Sequence, residues 1–125
     1  MTRFTTTSLA TLAILAASAL PAAAPAGAKV VFDGAWSVLI VTEKGTCDRA
    51  YRYPVKIEKG VVGYAGSASF TVTGKVGDKG DVTVTVARGN QSANGKGRMS
   101  ATDGSGVWTA AGGECSGTWT AERRA

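Results

Sequence analysis

Ser69-Phe70-Thr71-Val72-Thr73-Gly74-Lys75-Val76, then Gly77-Asp78-Lys79-Gly80, then Asp81-Val82-Thr83-Val84-Thr85-Val86-Ala87 is the stretch that decides the fold. Phe70, Val72, Gly74 and Val76 alternate with Ser69, Thr71, Thr73 and Lys75. Val82, Val84 and Val86 alternate with Asp81, Thr83, Thr85 and Ala87. Residues two apart on a strand face the same way, so each run has one side for a core and one for water. The Gly-Asp-Lys-Gly segment supplies a turn between them. The two runs therefore read as an antiparallel hairpin.

The same period extends in both directions. Tyr51, Tyr53, Val55 and Ile57 alternate with Arg52, Pro54, Lys56 and Glu58. Lys59-Gly60 is a tight link and Arg88-Gly89-Asn90 another hairpin loop. After Ala28 there are 13 Val and 10 Thr but one Leu, Leu39, and two Ile, Ile40 and Ile57. β-Branched side chains suit pleated sheets and are stiff in helices. Strands are expected at 36–42, 51–58, 61–65, 69–76, 81–88, 92–101, 105–110 and 115–122. That pattern implies an all-β domain: a small antiparallel up-and-down barrel or a two-sheet sandwich. Trp36–Thr42 is apolar on both faces, which fits a central or covered strand. Pro54 has no N–H to donate, so it belongs on an edge or at a bulge, which allows an incompletely closed sheet.

Gly97-Arg98-Met99-Ser100-Ala101, Gly106-Val107-Trp108-Thr109-Ala110 and Gly117-Thr118-Trp119-Thr120-Ala121 share one form, and Gly34-Ala35-Trp36-Ser37 resembles its start. Each Gly shares a face with the large residue two positions on. A missing side chain makes room for a neighbouring strand's indole, so this reads as a packing device. The bland expectation is that the Trp residues are core. The sharper one is that Trp36, Phe70, Trp108 and Trp119 line a cavity.

Upstream, residues 1–28 read as a cleaved export signal, leaving 29–125 as a single β domain. Arg3 precedes the apolar run Leu9–Leu20, and Ala26-Gly27-Ala28 offers a cleavage site before Lys29. The run is short for a membrane span and Pro21 and Pro25 follow it, so no stable membrane anchor is expected. This places the protein in the periplasm or outside the cell. In that oxidising setting Cys47 and Cys115, the only cysteines, are expected to form a disulfide.

With those residues in view, Phe32-Asp33-Gly34-Ala35-Trp36, Cys47-Asp48-Arg49-Ala50-Tyr51-Arg52-Tyr53-Pro54 and Cys115-Ser116-Gly117-Thr118-Trp119-Thr120-Ala121-Glu122-Arg123 together resemble small exported single-domain bacterial proteins of unknown function. The Gly34-Ala35-Trp36 triplet, with basic residues after the last strand, is also similar to the calycin barrels: lipocalins, avidins and bacterial metalloprotease inhibitors. The lipocalin resemblance implies that Arg123 or Arg124 covers Trp36. The departures are equally specific. The inhibitors close their disulfide within the first half of the chain, and the polar ligand set of the avidins has no match here.

Composition narrows the chemistry. The chain has no His, which excludes Ser-His-Asp and Cys-His hydrolases, and two Cys cannot make an all-cysteine zinc site. No metal and no cofactor are expected. Most carboxylates, Asp78, Asp81 and Asp103 among them, fall where turns or solvated faces are expected. A carboxylate-based hydrolase is thus a remote reading, since it needs two acids facing across a cleft. The leading expectation is a non-enzymatic binding or inhibitory module. Its candidate contacts are Arg49, Arg52, Tyr51 and Tyr53, for an exported protein or an acidic, polyanionic surface. Nucleic acid is not expected at a net charge of +5, or +4 without Arg3. The alternative is a carrier of a small apolar ligand in the barrel interior. Against it stands the expectation that three Trp fill so small a barrel.

Overall fold

The computed structural model describes residues 29–124. The export-signal reading of residues 1–28 lies outside the described residues. After one helical turn, α1 (Lys29–Phe32), eight strands follow: β1 (Gly34–Lys44), β2 (Ala50–Glu58), β3 (Val61–Tyr64), β4 (Thr71–Val76), β5 (Asp81–Arg88), β6 (Gln91–Met99), β7 (Asp103–Ala110) and β8 (Ser116–Arg123). Each pairs antiparallel with the next, and β8 pairs back onto β1. The domain is an up-and-down barrel, not a sandwich. All eight strands match the sequence periodicity, with ends displaced by two residues at most.

The barrel is closed, which corrects the expectation drawn from Pro54. In an extended chain a residue's N–H and C=O point to the same side. The Pro54 carbonyl accepts the Ala65 amide at 3.1 Å. The missing N–H therefore faces the same side, just past Tyr64, where the β2–β3 ladder ends. Only the reciprocal bond at the very end of that ladder, from residue 54 to the Ala65 carbonyl, is missing, and the sheet closes without it. At the other end of β3, Lys59 (φ 53°) and Gly60 (φ 78°) make the two-residue link, both at positive φ, as the hairpin twist favours. Asp33 holds it: its carboxylate accepts the Lys59 amide at 2.7 Å and the Gly60 amide at 3.1 Å.

The meander gives the barrel two unlike ends. The turns 59–60, 77–80 and 100–102 gather at one end, together with α1 and the end of β8. That end is plugged. Phe32, Trp36, Ile57, Val76, Val82 and Ala121 are all buried. The Trp36 indole donates to the Phe32 carbonyl at 2.8 Å. Arg123 pairs directly with Trp36 across the β1–β8 ladder, so both side chains lie on the inner face. Its guanidinium covers the indole at 4.8 Å from the ring centroid. It also donates to the carbonyls of Asp33 and Ala101, both at 2.6 Å, and of Val31. Of the two arginines suggested by the lipocalin resemblance, Arg123 takes this place. Arg124 is exposed and lies 3.5 Å from Glu122.

The glycine repeat works as a packing device around one indole. Trp119 lies against β6 and β7, where a Cβ on Gly97 or Gly106 would come within 2.7 Å of the ring. The same Cβ atoms would lie 2.1 Å from the Ser105 carbonyl and 2.0 Å from the Lys96 carbonyl. Both obstacles include backbone, which cannot rotate away. Gly106→Ala is therefore expected to destabilise the fold by about 1–3 kcal/mol, read as a lower urea midpoint at an unchanged slope. An unchanged midpoint would show that the glycines do not seat the indole.

Candidate functional site: an open cup inside the barrel

The loops 45–49, 65–70, 89–90 and 111–115 surround the other end, which is open. From it a cavity of about 630 Å³ runs into the barrel. This corrects the expectation of a filled interior, and the reason lies in the repeat just described. Glycines let the Trp119 indole lie flat on the wall instead of crossing the middle. On the facing strands the inward residues are small: Val82, Val84 and Val86 on β5, Ala93 and Gly95 on β6. Eight strands enclose space that these side chains do not fill.

The cup has two kinds of wall. One is aliphatic, with Val38, Ile40, Val55, Val62 and the β5 valines. The other is aromatic and stands near the mouth. Phe70 lies between three tyrosines, at 5.5 Å from Tyr51, 6.3 Å from Tyr53 and 5.5 Å from Tyr64. These offset and edge contacts suit the ring quadrupoles. Phe70 also carries the Arg88 guanidinium at 5.2 Å. Tyr64 is wrapped by its own loop: its hydroxyl accepts the Ala68 amide at 3.3 Å, and Gly66 passes too close for any Cβ.

The disulfide forms part of the rim. Cys47 and Cys115 are bonded, at a sequence separation of 68. It ties loop 45–49 to loop 111–115 and lines the cup. Gly45 packs onto Cys115 where a Cβ would meet its sulfur at 2.7 Å. Thr42 closes the first loop from inside, its hydroxyl donating to the Asp48 carbonyl at 2.6 Å. The rim loops are thus held together, as the sequence suggested.

The expected site residues separate into two groups. Tyr51 and Tyr53 face inward and line the cup, as do Phe70, Trp108 and Trp119. Trp36 does not. It is buried in the plug at the far end, 1 % exposed, under Arg123. Arg52 points outward from β2 and donates to the Ser37 hydroxyl at 2.9 Å, and Arg49 lies exposed in the rim loop. The strand alternation keeps the Arg52 guanidinium and the tyrosine rings on opposite faces. Arg88 was read from sequence only as part of a turn. The signal for its place at the mouth was its position at the end of an inward-facing valine run.

Four buried side chains on the wall carry a nitrogen or oxygen: Thr42, Tyr53, Trp108 and Trp119. Thr42 is committed to Asp48. The Trp108 indole donates to the Val41 carbonyl at 3.0 Å, and that of Trp119 to the Lys96 carbonyl at 3.2 Å. Tyr53 alone has no hydrogen-bond partner among the described residues. Burial pushes its phenol up to about 12, so it stays protonated across the physiological range. The charged residues on the cup are Asp48, Arg88 and Glu114, all exposed at the mouth. Among the described residues no three His, Cys, Asp or Glu side chains cluster to hold a metal. No known family model, curated protein or solved structure matches the chain.

Proposed function

We propose that the protein is an exported carrier that holds a small apolar ligand inside the barrel. The observation that carries this reading is the open cavity of about 630 Å³, within the range of small-molecule sites. Its wall is mostly apolar, and its charged groups stand at the mouth. The plug at the far end is supported by Arg123 and needs no ligand to fill it. The Cys47–Cys115 bond is compatible with an oxidising, exported location.

A probe such as 1-aminoanthracene, measured by its own fluorescence, is expected to bind one site per chain. Ala93 lines the cup and is half-buried. Ala93→Trp would place an indole in the hollow and is expected to weaken probe binding by about tenfold or more, while far-UV dichroism stays unchanged. Equal affinity in the folded variant would end the carrier reading.

A second reading keeps the rim as a contact for an exported protein partner. It is supported by the disulfide, which fixes loops 45–49 and 111–115 side by side. Ala93→Trp separates the two readings, because filling the cup leaves the rim loops in place.

A further inference from the structure

We infer that the ligand of the cup is an uncharged molecule that presents one oxygen acceptor to the Tyr53 hydroxyl. This inference rests on the carrier reading and adds the chemistry of what is carried. Tyr53 is only 7 % exposed. A phenol so deeply placed ordinarily spends its O–H on a protein partner, because a buried polar group without one is costly. Here the other buried polar atoms of the wall are all committed. The Tyr53 hydroxyl is not, yet no buried side-chain oxygen or nitrogen is sealed off without a partner among the described residues. The hydroxyl therefore reaches open space, and the space beside Tyr53 is the cup.

The ring is also fixed in place. It stacks on Phe70, with 20° between the planes, and pairs across the ladder with Val38. A donor held this firmly selects by direction as well as by polarity. Because the phenol stays protonated and its O–H meets no protein acceptor, the unmet need is for an acceptor, such as a carbonyl or ether oxygen of the ligand.

Charge decides the rest. No charged side chain lies deep in the cup. At the mouth a ligand passes one cation, Arg88, and two anions, Asp48 and Glu114. Arg88 is moreover stacked on Phe70. A carboxylate ligand would meet more repulsion than attraction there and would lose its hydration further in. The same desolvation cost applies to a cationic ligand. A neutral molecule with a single acceptor carries neither cost.

The test compares three flat probes of similar shape by equilibrium dialysis: naphthalene, 2-acetylnaphthalene and 2-naphthoate, with wild type and Tyr53→Phe. Wild type is expected to bind the ketone roughly tenfold tighter than the hydrocarbon, the scale of one well-made hydrogen bond in a dry site. Tyr53→Phe is expected to bring the ketone down to the hydrocarbon's affinity and to leave the hydrocarbon unchanged. The naphthoate is expected to bind more weakly than the ketone. Equal binding of ketone and hydrocarbon by wild type, or a preference that survives in Tyr53→Phe, overturns the inference and leaves the carrier reading standing. Loss of all three probes in Tyr53→Phe overturns it too, since the hydroxyl would then maintain the cup itself and not meet the acceptor of a ligand. A naphthoate that binds tightest overturns the neutral-ligand claim. If wild type binds none of the three, the carrier reading falls and takes the inference with it.

Discussion

Replacing Cys47 and Cys115 together by alanine is expected to lower the stability of the folded domain by about 4 kcal/mol, by the loop-closure arithmetic for a long loop. The bond joins residues 68 apart, so its loss frees most of the barrel's chain in the unfolded state. The folded state loses something as well. Cys115 is 1 % exposed and packs against Gly45, so the double variant leaves a void at the rim. Small domains have a net stability of about 5–15 kcal/mol, and one of this size lies toward the low end. The variant should therefore unfold in distinctly less urea, and wild type in dithiothreitol should follow the same curve. Coincident curves for oxidised and reduced wild type would contradict this. The rim is also the mouth of the cup, so on the proposed carrier reading probe affinity is expected to fall in any variant fraction that remains folded.

Trp36→Ala is the second large loss, about 3–5 kcal/mol. The indole is 1 % exposed and supports the plug at the closed end. Truncation leaves a void under the Arg123 guanidinium and removes the ring that it covers. It also leaves the Phe32 carbonyl without its donor. Trp36→Phe keeps most of the volume and loses the N–H, so its cost should be clearly smaller. Equilibrium urea unfolding of the two variants checks the order. If alanine and phenylalanine cost the same, the plug is not held by indole packing.

Most of the fold was legible in the chain. The valine and threonine alternation of β4 and β5 set their two faces, and the turn residues between the runs set the hairpins. The Gly-x-Trp repeat showed which glycines leave room for an indole. It did not show where that indole would lie, and this decides whether the barrel is solid or hollow. Trp119 rests against glycines of β6 and β7, the two strands before β8, where Gly106 lies opposite it on the β7–β8 ladder and Gly97 one strand further. Pro54 illustrates the opposite failure. As a single residue it argues for a gap in the sheet, but the short β3 ends where the missing donor would be needed.

The candidate site was legible in part. Phe70, Trp108 and Trp119 are expected from sequence as cavity lining and do line the cup, whereas Tyr51 and Tyr53, expected as contacts beside the arginines, line it as well. Grouping Arg52 with the tyrosines required a twist at Pro54 that the strand does not make. Arg88 reaches the mouth from the end of β5 and Tyr64 supports Phe70 through loop 65–70, which local pattern does not connect. Trp36 looks like its fellow tryptophans in sequence, but it starts β1 at the plugged end.

Periodicity of two, turn chemistry and a lone pair of cysteines are local or compositional facts, and they were enough to specify an all-β chain, the two partners of its cross-link and a core-facing side to each strand. Whether the sheet closed, which end stayed open and which phenol was left without a partner depended on how distant strands meet. Those outcomes arise from volumes summed around a closed wall, and no window of sequence contains that sum.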